Sequence, residues 1–187
     1  MRTIDIAHDH FGFYLAWGDV AWLPFMYTLQ GFYLMFHPIE LSKFSLYIVS
    51  MLGFSSIYLF RKSNNQKEEF RNAKAAGNEF FILDRKADFI EAPYLSPDNK
   101  KQISFLLADG YWGISRHFNY LTDLGNALAY SLCCGTNCLL PYFYFIYMTI
   151  LLLHRIQRDD SRCSAKYKES WKQYCTKVPY KLIPYLY

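Results

Sequence analysis

Most charged side chains of this 187-residue chain fall in two blocks, and that segregation restricts its fold more than any other feature. Of 20 Lys and Arg, nine lie between Arg61 and Lys101 and eight between Arg155 and Lys181. Outside the blocks, long stretches are almost bare of charge: none in the 17 positions of 44–60, none in the 30 of 124–153, and only Asp19 in the 26 of 11–36. About 20 apolar residues cross a bilayer as a helix, so 11–36 and 44–60 read as two spans. A buried hairpin of a soluble protein is the competing reading of 11–36. At 1.5 Å per residue the 124–153 run would make about 45 Å of helix, more than one bilayer core needs. CCGTNCLLP in its middle offers Gly135, Asn137 and Pro141 as a break. Two shorter helices, roughly 124–134 and 139–154, are therefore expected. Broken helices at membrane depth are tolerated where they are buried in protein or line a cavity.

The resulting fold class is an all-α integral membrane protein: a polytopic helix bundle with short, broken C-terminal helices and a cytosolic C-terminal tail. Three parts are expected, two spans in 1–60, a cytosolic polar block in 61–104, and C-terminal membrane helices with the tail in 105–187. Basic residues favour the cytosolic side, so the span ending at Arg61-Lys62 and the helix ending at His154-Arg155 both emerge there. An aromatic content of 20% excludes disorder and fibrous classes. A net charge of +4, clustered beside apolar runs, argues against a nucleic-acid partner. Cys133-Cys134-x3-Cys138 lacks zinc-site spacing and reads as small core residues. The five histidines are too few and too scattered for a di-metal centre, even with the paired spacing of His8 and His10, so no metal is expected. The opening MRTIDIAHDH lacks the apolar stretch of a cleavable signal peptide.

Two basic clusters carry chemical potential. One is Lys67-x3-Arg71, a single helical turn apart; the other runs through Arg155, Arg158, Arg162 and Lys166, interrupted by Asp159-Asp160. A solvated helix with i,i+4 pairs is the bland account of such runs. Two cationic patches on one membrane face, beside an aromatic stretch, suit instead a phosphorylated cofactor such as one bearing the 2′-phosphate of NADP. Neither GxGxxG nor a Walker A sequence is present, so such a cofactor would not be held by those devices. LLADGYWGISRHFNYLTD (106–123) interleaves aromatics with Arg116, His117 and Asn119, and could wall a polar cavity. In it Trp112 or Tyr120 would stack on a flat ring, and Asn119 would supply a hydrogen-bonding arm. Asp19, an acid inside an apolar run, is costly at membrane depth and stands as a functional candidate.

The stretch L-L-x2-G-Y-W-G-x2-R-H-x-N-Y-x2-D at 106–123 resembles the signature of the sterol reductase family. Residues 140–184 resemble the C-terminal end of that family, and TIDIAHDHFGFYLAWGDVAWLPFMYTLQGFYLMFHP (3–38) its upstream segment. The resemblance implies a multi-pass enzyme of the endoplasmic reticulum membrane that reduces a sterol carbon–carbon double bond with NADPH. His-Asp-His-Phe-Gly at 8–12, Trp-Gly-Asp at 17–19 and Tyr-Thr-Leu-Gln-Gly at 27–31 look most like the branch acting on the C7–C8 bond, in cholesterol synthesis. Reduction at C14 is the alternative within the family.

Outside the family, a membrane methyltransferase of the isoprenylcysteine or phospholipid type and a non-catalytic sterol-binding scaffold are the alternatives. By the same resemblance Lys67 and Arg71 match the pair that grips the adenosine-side phosphate of NADPH, and Leu107, Trp112, Asn119 and Tyr120 match pocket contacts. Asp159, the run Cys163, Ser164, Ala165, Lys166 and Tyr167, and Tyr174 match the C-terminal contacts. Asp159 and Tyr174 are the expected catalytic residues as proton donor or relay, with Asp19 and His10 as substrate-side candidates. A sterol, membrane lipid and other enzymes of the sterol pathway are the implied partners. Family members carry further membrane helices upstream of the part matched, so the chain is expected to be a C-terminal piece of a longer enzyme.

Overall fold

The computed structural model describes residues 12–96 and 99–187. It begins with a chain of short helical pieces: α1 (Phe13–Trp17), a π turn (Gly18–Trp22), α2 (Leu23–Met26) and α3 (Leu29–Phe36). The stretch expected as a single span is thus helical but interrupted twice. Pro24 sits in the first turn of α2, where its missing N–H costs nothing, and Thr28 leaves helical geometry before α3. Ser42 then caps the long helix α4 (Lys43–Ala75), its hydroxyl accepting from Ser45 N–H at 3.1 Å.

Among the described residues α4 is the one helix long and apolar enough to cross a membrane. Its uncharged part, 44–60, is the membrane-compatible length, and the polar turns beyond Arg61 continue the same helix. The expected boundary between 60 and 61 is therefore no boundary in the fold. The reason lies in its buried stripe. Val49, Ser56, Ser63 and Phe70 recur every seven residues and are buried on both sides of the charge transition.

That stripe faces α6 (Phe118–Leu132), which runs antiparallel to α4 through small residues. A Cβ placed on Gly53 would stand 3.5 Å from the Ala129 methyl, and one on Gly125 only 2.6 Å from Ser56 Oγ. Small residues let two backbones approach this closely, the usual way helices associate where lipid removes the hydrophobic drive. Farther along the same contact Asn119 Nδ2 donates to Asn64 Oδ1 at 3.3 Å.

The all-α expectation is corrected by two antiparallel hairpins in the block 81–107. Strands β1 (Phe81–Ile82) and β2 (Arg85–Lys86) form the smaller one, β3 (Phe89–Leu95) and β4 (Lys101–Leu107) the larger, pairing Phe89 with Leu107 through Leu95 with Lys101. Alternation in FIEAPYL puts Ala92 inward, the period of two that belongs to strands, while KQISFLL grows steadily more buried toward Leu107. After β4 comes a single turn, α5 (Tyr111–Ile114), then α6.

The uncharged run breaks between Cys133 and Leu139, with Gly135 at φ +69° and Pro141 opening a 3₁₀ turn. Helix α7 (Phe143–Tyr167) follows, continuing 13 residues past His154 into the second charged block, and α8 (Glu169–Lys177) folds back after Lys168. The tail returns to the start of α6: Arg116 N–H donates to Tyr180 O at 3.0 Å and His117 N–H to Lys181 O at 3.1 Å.

Three clusters of buried residues hold the arrangement. Phe70, Ala87, Leu107 and Trp112 pack α4 against the hairpins. Ala108, Trp171, Tyr174 and Val178 pack α8 below β3. Leu124, Leu152, Ile156 and Leu182 join α6, α7 and the tail. Full burial of a side chain such as Phe70 or Leu152 contributes roughly 2–3 kcal/mol. The polar ends of α4 and α7 are thereby drawn to the start of α6.

Candidate functional site

Lys67 stands at the centre of this meeting point. Its Nζ lies 3.5 Å from the centroid of the Trp112 ring, a close cation–π contact. Trp112 is 3% exposed and locked from the other end, its indole Nε1–H donating to Ser63 O at 2.9 Å. Gln66, one residue before Lys67, accepts from Tyr111 N–H at 3.1 Å. A Cβ on Gly110, which has φ +59°, would overlap that same Gln66 amide, so glycine is required there by both conformation and space. The loop thus anchored is held behind by Asp109, buried, whose carboxylate takes Arg85 Nη2 at 2.6 Å, Gly110 N–H at 2.7 Å and Asp88 N–H at 3.2 Å.

From α7, Asp159 approaches the same place. Its Oδ1 accepts Arg162 Nη2 at 2.5 Å, and its Oδ2 is 4.0 Å from His117 Nε2. The buried His117 ring stacks on Tyr120 at 5.1 Å between centroids. Burial lowers the His117 pKa to about 4 against the pull of Asp159, leaving a neutral imidazole at physiological pH. On the polar extension of α4, burial first and the Arg71 charge second bring Lys67 down to about 7, opposed by Asp159 and Cys163. Burial raises the Cys163 thiol to about 11 despite Arg162 and Lys67, so it stays protonated. Tyr174, inside the α8 cluster, has its phenol raised by burial, with Arg116 opposing. Asp160, one residue from Asp159, turns the other way: it accepts Trp171 Nε1–H at 3.1 Å and pairs with Lys181 at 3.1 Å.

The sequence-expected residues are therefore brought together in part. Lys67, Arg71, Trp112, Asn119, Tyr120, Asp159, Cys163 and Tyr174 come from five helices and share this neighbourhood through the contacts and charges just given. Leu107 lies behind it, buried in the cluster with Phe70 and Trp112. The run 163–167 divides. Ser164, Ala165 and Lys166 are exposed, with Lys166 Nζ over the Tyr94 ring at 3.9 Å, while Tyr167 Oη reaches Ser104 Oγ at 3.4 Å.

Trp112 is not the open stacking platform expected of it, because its own neighbour Lys67 covers a face. Asp19 is exposed on the π turn, beside Trp22, which packs on Phe143 and Tyr147. Those rings precede Asp159 on α7 by more than three turns, roughly 18–24 Å. His10 lies outside the described residues. Three positioning groups were not foreseen: Gln66, Asp109, and His117 in its contact with Asp159. Gln66 directly precedes Lys67 and Asp109 directly precedes the Gly-Tyr-Trp-Gly loop, so each had a positional cue; the His117–Asp159 pair had none.

One atom bears on what the site could hold. Asn119 Oδ1 is buried without a hydrogen-bond partner. An orphaned acceptor of this kind costs about 1–3 kcal/mol, a cost a ligand N–H would remove. With the paired cations Lys67 and Arg71, the donor and acceptor set fits a phosphorylated nucleotide that also carries an amide. A separate apolar groove of about 670 Å³ opens between α6, α7 and the tail, lined by Leu121, Leu124, Leu128, Phe145, Leu153 and Ile183 among others.

Comparison with known proteins finds a match to the family described as Ergosterol biosynthesis ERG4/ERG24, over residues 1–187. A 7-dehydrocholesterol reductase of Xenopus laevis is 52% identical over the whole chain, which covers 39% of that protein. One of Danio rerio is 51% identical, with 38% of it covered. A Delta(14)-sterol reductase of Mus musculus is 42% identical, with 42% of it covered. The chain thus spans about two fifths of the length of the curated relatives it matches.

Proposed function

Because the chain belongs to the ergosterol biosynthesis ERG4/ERG24 family of sterol reductases, we propose that it forms the NADPH-holding part of a multi-pass sterol reductase in the endoplasmic reticulum membrane. The reaction is reduction of the C7–C8 double bond of a 7-dehydrosterol. The observation that carries this reading is the convergence of Lys67 and Arg71 on one arm with Asp159 and Cys163 on the other, around Trp112.

The residues fit the cofactor as follows. Lys67 and Arg71 would hold its adenosine-side phosphate as cations. Asn119 Oδ1 would accept an amide N–H, and Tyr120, Asp159, Cys163 and Tyr174 would complete the enclosure. NADPH supplies the hydride. A carbon–carbon double bond with no carbonyl to activate it is a poor hydride acceptor, so the protein would deliver a proton to one carbon first, leaving the adjacent cationic carbon for the hydride to close. Tyr174 holds a proton at its phenolic oxygen through its raised pKa, and Asp159 is oriented by Arg162. These two are the proposed donor and relay. The neutral His117 ring supports Asp159 sterically and as a dipole, without adding a charge.

Identities of 52% and 51% with two 7-dehydrocholesterol reductases favour C7 over C14 as the reduced position. The Delta(14)-sterol reductase match at 42% keeps C14 reduction as a second reading. Expression of the full-length protein in cells lacking both reductases separates them. Loss of accumulated 7-dehydrosterol is the expected outcome, whereas loss of Δ14-sterol alone moves the assignment to C14.

A further inference from the structure

The tip of the β1–β2 hairpin is built against the usual rules. Leu83 and Asp84 form its two-residue turn with φ +49° and +60°. Turns of this kind favour Asn-Gly, since a bulky side chain at positive φ is strained. Leu83 is nevertheless 91% exposed, and Phe81 beside it is 57% exposed. Nothing in the described fold is gained by placing leucine there.

The position of the tip suggests what it meets. Phe81 and Ile82 line a small cleft together with Lys62, Asn65, Gln66 and Tyr111. They therefore flank α4 in the first turns after its uncharged run ends at Phe60. At the same level the chain places the start of α6, through the Asn64–Asn119 bond, and the C-terminal tail, through the His117–Lys181 bond. That tail carries Tyr185 at 90% exposure, with Leu186 beside it also exposed. Lys62 is exposed here too, its ammonium 5.8 Å from the ring of Tyr58 one turn below. Aromatic and aliphatic tips mixed with Lys and Arg at the end of a membrane-length helix make the composition of a headgroup layer.

We propose that Phe81–Leu83 and Tyr185–Leu186 are interfacial anchors that dip into the phospholipid headgroup layer on the side where α4 leaves the membrane. Arg61 and Lys62 face lipid phosphates between them. The inference rests on the continuity of these tips with the membrane-length part of α4 and on charge complementarity; it does not depend on which sterol bond is reduced. Anchored in this way, the hairpin that begins at Phe81 holds Ala87 and, through Arg85, Asp109 at a fixed height relative to the bilayer.

The test is Leu83→Trp in the full-length protein, reconstituted in phospholipid nanodiscs, with emission taken as the difference from the parent protein. Blue-shifted emission quenched severalfold more by lipids brominated near the headgroup than by aqueous iodide supports the anchor. Water-like emission quenched mainly by iodide overturns it. So does blue-shifted emission that neither quencher reaches, since the tip would then be covered by protein. A Tyr185→Trp variant, in the C-terminal tail, is expected to give the same lipid-quenched signal. Iodide quenching of that variant would remove the tail from the anchor.

Discussion

Lys67 Nζ lies 3.5 Å above the ring of Trp112, so the cation proposed to grip a phosphate is seated on a buried aromatic residue. The two residues are 45 positions apart and are joined by a second bond between their neighbours, Gln66 Oε1 and Tyr111 N–H. Removing either member of the pair displaces the other, and that dependence can be measured.

Lys67 should make cofactor affinity depend on pH. Burial and Arg71 bring its pKa to about 7 in the free site, and a bound phosphate dianion would raise it. Binding then takes up a proton: affinity is full below pH 7 and weakens as pH rises through and above 7, at a slope approaching tenfold per pH unit. Titration of NADPH binding between pH 6 and 9 should show this slope. Lys67→Met should abolish the slope and weaken binding at pH 6.

Trp112 separates packing from hydrogen bonding. Trp112→Ala should destabilise the protein by about 3–5 kcal/mol through loss of core contacts. Trp112→Phe keeps much of the ring and removes only the indole bond to Ser63 O, a carbonyl that retains its helical donor, at about 0.5–1.5 kcal/mol. Denaturation in detergent, read against the parent, checks both values and their order.

Gly110 tests the anchoring of the loop. Gly110→Ala places a methyl into the Gln66 amide at a positive φ and should cost about 1–3 kcal/mol. Gln66→Ala removes the overlapping group, so the double variant should lose less than the sum of the singles. Strict additivity in a double-mutant cycle would show that the two positions do not press on each other.

Asn119 should separate function from stability. Its Oδ1 is buried and unpartnered while its Nδ2 bonds Asn64, so Asn119→Leu removes one unfavourable and one favourable group and should leave the unfolding free energy within about 1 kcal/mol of the parent value. The same change should weaken NADPH binding by roughly tenfold, the worth of one hydrogen bond to a ligand. Parallel thermal and binding measurements check the divergence.

Part of this arrangement could be read from residues alone. The break near Gly135 and Pro141 follows from backbone chemistry that overrides any apolar run, so it falls where expected. The continuation of α4 past Arg61 was hidden because charge was taken as the boundary, whereas the buried positions Ser63 and Phe70 keep the seven-residue register set by Val49 and Ser56. The hairpins were missed because their alternation is short and lies among Lys, Glu and Asp, where composition suggests a loop. The family signature pointed to Trp112, but not to its orientation, since the lysine that covers it comes from a different helix. The approach of His117 to Asp159, 42 positions away, is purely a product of tertiary packing.

The central proposal is that Lys67 and Arg71 recognise the 2′-phosphate of a nicotinamide nucleotide. The direct measurement is thermal unfolding of the full-length protein in detergent with NADPH or NADH, for the parent and for Arg71→Met. Ligand bound to the native state raises the melting temperature by mass action. The account predicts stabilisation by NADPH well above that by NADH, with the difference lost in Arg71→Met. Equal stabilisation by the two nucleotides in the parent, or an unchanged preference in Arg71→Met, would contradict it.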